Sequence, residues 1–392
     1  MSDAARTCLA CGAADVRRFL LLPEVPVFCN IMWDDADGAR SAPRGDLDLG
    51  ICGACGHVFN LAFDIERVKY AENYENSLHH SPRFQSYAEE LARDLRERHD
   101  VDGGSVVEIA CGQGDFLKMV CVDPGTTGIG FDPSYRGEAV APNVTIRGEY
   151  FGARPFGKPA DLVCCRHALE HIETPVPFLQ GMRGALTESS RAVIFFEVPN
   201  SLYSLRDGGV WDFIYEHVSY FCGTSLAACF VRAGLRVTRT WETFGGQFLC
   251  LEAAADGEAG SDGADLSPVP GAAELVALAE GLSTQLEELL EHWRKRFAAV
   301  RAAGGKVAVW GAGSKGVTFL NLMGADADLC LPVDINPEKR GKHVAGTGHP
   351  IVAPADLAGR DVRLVLVMNP VYTEEIAGMV RDLGISAEVV GV

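Results

Sequence analysis

Glu108-Ile-Ala-Cys-Gly-Gln-Gly114 follows directly on the apolar run that begins at Ser105, and its reading decides the rest of the chain. Its glycines let a backbone pass close to a ligand, and the helix that such a turn opens presents amides that favour a carboxylate or phosphate. Working outward, the pattern predicts a strand over 105–110, a helix over 116–121, and a second strand, Gly128-Ile-Gly-Phe131, ending at Asp132. An acid at that position is an acceptor placed where a ribose diol lies in folds of this grammar.

Further strands are expected over Asp161-Leu-Val-Cys-Cys165, Ala192-Val-Ile-Phe-Phe196 and 246–252. Strands alternating with helical stretches imply a mostly parallel sheet with helices on both faces. Upstream, Phe84, Tyr87, Leu91 and Leu95 recur at helical spacing behind Ser81-Pro82, a cap followed by a first-turn proline. Downstream, 253–271 is Ala, Asp, Gly, Ser and Pro without hydrophobic periodicity and reads as a linker. A long helix is expected over 272–303, with Leu275, Leu278, Leu282, Leu286, Leu289 and Leu290 as its apolar stripe. The same grammar then restarts: a strand over 306–310, the turn Gly311-Ala-Gly-Ser-Lys-Gly316, a helix to Met323, and a strand over 329–333 ending at Asp334. This second turn is close to a dinucleotide fingerprint.

Residues 1–70 differ in character, rich in Pro, Gly and Asp, with only short strand-like pieces such as 25–28 and 47–51. They carry two Cys-x-x-Cys pairs, Cys8/Cys11 and Cys52/Cys55. Four thiolates satisfy a tetrahedral zinc ion, leaving no open position, so the metal expected here is a structural Zn2+ that serves folding. Cys29 and His57 are the alternative ligands. The expected organisation is a zinc-binding domain over 1–70, an α/β core over 71–256, a linker and long helix over 257–303, and a second Rossmann-like α/β domain over 304–392.

Composition agrees. A chain of 392 residues with 47% hydrophobic content is long enough for several domains. Its net charge of −18 argues against a nucleic-acid surface, which needs clustered Lys and Arg. No apolar run reaches membrane-spanning length and the amino terminus lacks an apolar signal segment, so no membrane association and a cytoplasmic location are expected. The 13 cysteines then read as metal ligands or small buried hydrophobes. A small molecule is the expected partner.

The first glycine turn departs from Gly-x-Gly-x-x-Gly, and Glu108 suits a nucleoside bearing an amino-acid tail, S-adenosylmethionine. Glu108 to Gly114, Asp132 and Asp161-Leu-Val-Cys-Cys-Arg-His-Ala-Leu-Glu-His171 resemble the motifs of class I S-adenosylmethionine-dependent methyltransferases. With the cysteine pairs, Tyr215-Glu216-His217 and the 311–316 turn, nearly the whole chain resembles the three-domain C-methyltransferases of nucleotide-linked ketosugars. That resemblance implies a class I methyltransferase Rossmann-like core flanked by a small zinc-binding domain and a C-terminal Rossmann-like domain, the two closing over the substrate.

Carried over by position, the resemblance makes Glu108, Ala110, Gly112 and Gly114 the methionine-side loop and Asp132 the ribose acceptor. Glu149, Tyr150 and Phe151 would edge the adenine, Tyr74 would cover the cofactor, and His167 would sit near the transferring methyl. His217 would be the base, with Glu216 or a tyrosine orienting it or stabilising an enolate. The family usually has one more residue between this Tyr and Glu, so Tyr215 and Tyr220 compete for the tyrosine role. Lys315 would meet a substrate phosphate or carboxylate, and Asn200 lies at the turn leading into this region.

The reading that follows is S-adenosylmethionine-dependent methylation of a carbon beside a carbonyl in a small molecule, a nucleotide-sugar being the expected substrate class. O- or N-methylation of a small natural product is the alternative within methyl transfer. An NAD-dependent oxidoreductase built on the 311–316 turn, or a zinc-stabilised binding module without turnover, are the alternatives outside it.

Overall fold

A computed structural model describes residues 7–68, 78–137, 140–152, 156, 159–186 and 192–392. The central sheet has seven strands. From one edge to the other they are Arg236–Thr243, Phe248–Ala254, Val193–Pro199, Leu162–Arg166, Ser105–Ile109, Thr127–Phe131 and Val144–Arg147. All are parallel except Phe248–Ala254, which runs against both neighbours. The two most central strands, Ser105–Ile109 and Leu162–Arg166, read Ser-Val-Val-Glu-Ile and Leu-Val-Cys-Cys-Arg, near-continuous apolar runs that suit burial on both faces.

The helix Pro82–His99 covers one face. Ser81 caps it, its hydroxyl accepting from the Phe84 amide at 3.3 Å, with Phe84, Ala88, Leu91, Ala92 and Leu95 buried beneath it. The stretch after Ala254 is not a free tether. It lies along the outermost strand, where the Val237 amide donates to Gly260 O at 2.8 Å and the Thr240 amide to Asp265 O at 2.9 Å. An otherwise bare sheet edge is thereby covered, a need that composition alone does not reveal.

The amino-terminal residues do more than knot a metal site. Val16–Pro26, Arg44–Cys52 and Val58–Asn60 form an antiparallel sheet whose fourth strand, Ser219–Tyr220, comes from the middle of the chain. The 11-residue first strand hides in sequence because two bulges break its alternation.

The long helix is Ala272–Ala302, as its leucine stripe requires. Leu275, Leu282, Leu286 and Leu290 are buried in one continuous apolar core with Leu47, Leu49 and Ile51 of the first sheet, Trp211 and Tyr215 of the middle segment, and Val307, Phe319 and Leu366 downstream. The C-terminal unit is a parallel sheet in the order Cys330–Val333, Lys306–Trp310, Val362–Val367, Glu388–Gly391. The amino-terminal sheet, the 202–222 segment, the long helix and the C-terminal unit therefore pack about a single interior. None of the described helices is long and apolar enough to cross a membrane.

Candidate active site

The glycine turn sits at the carboxyl end of Ser105–Ile109, the crevice side of an open α/β sheet. Ala110, Gly112 and Gly114 all have positive φ, at 58°, 56° and 88°. A Cβ on Gly114 would meet Ile146 Cδ1 at 2.4 Å, whereas one on Gly112 would project into open space. That open space is what a ligand needs and a side chain would fill. Asp132 ties the turn down: its Oδ2 accepts from the Gly112 amide at 2.8 Å and its Oδ1 from Ser134 N at 2.8 Å. Glu108 is buried behind the turn, its Oε2 has no hydrogen-bond partner among the described residues, and burial pushes its carboxyl up to about 8. The turn's own amides are engaged, Ala110 N and Cys111 N donating to Phe131 O and Gly114 N to Cys111 O, so what it offers a ligand is the open space over Gly112 and the buried Glu108 carboxyl. Phe151 packs on Phe131 and Phe156 at ring distances of 5.6 and 5.4 Å, while Tyr150 is exposed and Glu149 lies beside it on the surface. Tyr74 lies outside the described residues.

Beside the turn lies a cluster the sequence did not announce. Glu197 is wholly buried and takes Arg166 on Oε1 at 2.8 Å. His167 Nε2 stands 2.7 Å from that same oxygen, at ion-pair distance though off the hydrogen-bond axis. Tyr87 donates to Oε2, as does the Cys250 thiol at 3.8 Å. Burial alone would raise the Glu197 carboxyl, but Arg166, His167 and these hydrogen bonds outweigh it and hold it down at about 2. The result fixes His167 at the end of its strand with a φ of 50°. The residues come from three separate strands and a helix, so no local motif marks them.

The second half of the site is the 213–221 segment, held between the amino-terminal sheet and the core. Tyr215 is buried against Phe63, and its hydroxyl accepts from the Asp64 amide at 3.1 Å. The Tyr220 hydroxyl accepts from Ile214 N at 2.9 Å and donates to Ile214 O at 2.7 Å. Both competing tyrosines thus direct their hydroxyls to main chain. Glu216 is wholly buried, with Oε2 accepting from Cys29 N at 2.9 Å. Its main-chain carbonyl meets His171 Nδ1 at 3.0 Å. The His217 ring stands edge-on to His171 with centroids 4.7 Å apart and lies 5.7 Å from Tyr220. Burial, with His171 and His167 near, holds the His217 imidazole well below its usual range, so it is neutral. Glu170, 2% exposed and raised to about 8 by burial, completes this group.

The C-terminal turn repeats the first one's device: the Ala312 amide donates to Asp334 Oδ2 at 3.0 Å. A Cβ on Gly316 would lie 2.2 Å from Gly311 O, so only glycine lets the helix start so close to its strand. Lys339, nearly buried, lies 3.4 Å from Asp334 and from Ala312 O. Lys315 is paired with Asp212 at 2.6 Å and sits over the Tyr203 ring. Asn200 caps the helix Ser201–Arg206 through Leu202 N at 3.1 Å and donates to Gly246 O at 2.9 Å.

The cysteine pairs converge. Cys8 Sγ lies 3.7 Å from Cys55 Sγ, and Cys11 Sγ 3.6 Å from Cys52 Sγ. Sulfurs on a tetrahedral zinc at about 2.3 Å stand ~3.8 Å apart, so the four form a donor set of the right size. Cys29 and His57 are not part of it: Cys29 lies by Glu216, and His57 packs between Phe59 and Phe221.

A seven-stranded sheet with one reversed strand, a glycine turn after a central strand and an acid after its neighbour give this chain the fold of the class I S-adenosylmethionine-dependent methyltransferases. Residues 80–240 match the family described as a methyltransferase domain, and residues 274–384 match that described as the C-methyltransferase C-terminal domain. The two follow one another along the chain, an arrangement consistent with the C-methyltransferases. No curated protein matches the sequence. Among solved structures it is similar to an S-adenosylmethionine-dependent methyltransferase from Aquifex aeolicus, with 16% identity, 44% of this chain and 98% of that one covered, and a TM-score of 0.33. Another from Mesorhizobium loti shows 16% identity, 43% and 97% coverage and a TM-score of 0.33. The N,N-8-amino-8-demethyl-D-riboflavin dimethyltransferase of Streptomyces davawensis shows 19% identity, 44% and 55% coverage and a TM-score of 0.36. These cover less than half of the chain, and the fold assignment rests on its own strand order.

Proposed function

We propose that this chain methylates a carbon beside a carbonyl in a small acidic molecule, with His217 as the base and a nucleotide-linked deoxyketosugar as the substrate class. The observation that carries this reading is the half-buried His217 ring, edge-on to His171 with centroids 4.7 Å apart, on a segment clasped by the amino-terminal sheet, the core and the C-terminal unit. A carbon acceptor must lose a proton before it can attack, and an imidazole is the side chain most often used to take one. Glu170 beside it can ionise and balance the imidazolium. Glu216, anchored on Cys29, sets where the base stands by fixing the adjacent main chain.

S-adenosylmethionine, when bound, supplies an electrophilic methyl on a sulfonium. Glu108, Gly112, Gly114 and Asp132 would hold it, and His167, fixed by Glu197, would face the reacting side. An acidic substrate needs local positive charge in so acidic a chain. Lys339 and Lys315 at the C-terminal turn supply it, Lys315 by exchanging Asp212 for the substrate. The four cysteines hold a structural Zn2+, and the enzyme works in the cytoplasm, in biosynthesis of a small natural product.

The test is calorimetry with S-adenosylmethionine, S-adenosylhomocysteine, NAD and NADP, followed by product analysis with nucleotide-ketosugars and a labelled methyl donor. Label on carbon supports the reading. Label on oxygen or nitrogen assigns the simpler methyl transfer, and binding of NAD alone moves the chemistry to the C-terminal turn.

A further inference from the structure

Glu170, His171 and His217 each offer one donor atom, and these atoms lie within 4.8 Å of one another. Donors on a metal at about 2.0–2.2 Å stand roughly 3–4 Å apart, so small side-chain rotations bring the three onto one ion. Glu170 Oε2 and His217 Nδ1 are buried without hydrogen-bond partners among the described residues, so no hydrogen bond there offsets their desolvation. His171 is oriented as metal-binding imidazoles are: its Nδ1 lies 3.0 Å from the Glu216 carbonyl, which fixes the tautomer with the lone pair on Nε2. Glu216 is itself anchored on Cys29 N, so that carbonyl is held in place.

The group stands apart from the four cysteines in chemistry. Two imidazoles and one carboxylate suit a borderline divalent ion, whereas four thiolates suit zinc held for good. Two ligands are adjacent on the turn Leu169–His171 and the third is on the 213–219 loop, so an ion here would clip the core to the segment clasped by the amino-terminal sheet.

We propose that Glu170, His171 and His217 form a second, exchangeable divalent transition-metal site, and that an ion bound there silences the enzyme by taking the imidazole lone pair of His217. The Glu170 carboxyl gives its proton to solvent as it meets the ion; no bond to carbon and no electron transfer is involved. The site rests on geometry alone, and its inhibitory role rests on His217 being the base.

The experiment uses tag-free, full-length protein dialysed until its metal content is constant at one zinc per chain. Zn2+ is then titrated in by calorimetry, with metal content read by mass spectrometry. One further ion per chain is expected. Glu170→Gln and His171→Asn should each weaken it by more than about 100-fold, beyond what loss of an outer-shell partner costs. The retained first zinc reports that each variant is folded. No second ion in the wild type, or a second ion held equally well by both variants, overturns the site. In the turnover assay, the second ion should abolish methyl transfer, with restoration by a mild chelator. An ion that binds and leaves turnover unchanged overturns the inhibitory role together with the base assignment, while the site stands.

Discussion

Gln247 and Asn369 exchange amides across the boundary between the methyltransferase core and the C-terminal unit: Gln247 Nε2 donates to Asn369 Oδ1 at 2.6 Å, and Asn369 Nδ2 donates back to Gln247 Oε1 at 2.8 Å. Phe244 against Tyr372, with rings 5.8 Å apart, and Ser81 donating to Glu375 at 3.1 Å extend the same contact. Replacing Asn369 by Ala removes both amide bonds and the cap it places on Val371 N at 3.2 Å, and a loss of about 1.5–4 kcal/mol is expected from three hydrogen bonds of ordinary strength. Hydrogen exchange should accelerate over 369–376 and stay unchanged in Ser105–Ile109. Uniform protection in the variant would show that the apolar core alone fixes the docking.

Methyl transfer by His217→Ala should fall by about 10²- to 10⁴-fold, the usual range for loss of a general base. S-adenosylhomocysteine affinity should remain near the wild-type value, because the glycine turn and Asp132 are untouched. Turnover and calorimetry on one preparation separate the two. Near-normal turnover removes His217 from the chemistry.

Cys52→Ser should release the zinc and lower stability, since a structural ion's binding energy is folding energy. Metal content and thermal unfolding of the variant against wild type check this. A wild type that is metal-free yet fully folded would end the zinc assignment.

Two buried carboxyls pull the pH dependence of stability in opposite directions. Glu197 is held at about 2, below its ordinary 4.5. Its contribution is therefore complete above about 4.5 and lost as pH falls toward 2. Glu197→Gln should cost about 3–5 kcal/mol at neutral pH, by leaving Arg166 buried and uncompensated, and should flatten the acid limb. Glu108 is raised from 4.5 to about 8, so the folded chain keeps a proton that the unfolded chain releases. Stability falls as pH rises through that window. Glu108→Gln should remove its share of that decline, Glu170, also raised to about 8, keeping the rest, and be the more stable protein at pH 8. Denaturant midpoints at pH 3, 5 and 8 check both signs.

What the sequence made legible was local. The 108–114 turn, Asp132, the Ser81 cap and the leucines of the long helix each announce themselves within a few residues, because turn chemistry and helical period act at short range. Glu197 and its partners Tyr87, Arg166 and Cys250 meet only through the sheet, and nothing in Phe195-Phe-Glu-Val-Pro199 sets that glutamate apart. The rivalry between Tyr215 and Tyr220 could not be resolved by spacing, because it depends on the backbone groups of Asp64 and Ile214 that their hydroxyls reach. His171 is not singled out by the sequence for a similar reason: its position against the Glu216 carbonyl and His217 belongs to the fold and not to the Glu-His pair in which it stands.

The strand Ser219–Tyr220, which closes the amino-terminal sheet, also sets a timetable for synthesis. On the ribosome, the first 60 residues emerge long before their fourth strand, and longer still before the helix Ala272–Ala302 that buries Leu47 and Leu49. Domains generally fold in order of emergence, but this segment has no complete interior of its own to fold around. A zinc ion on the four clustered thiols, as proposed for this chain, would give the nascent segment a staple to hold while it waits.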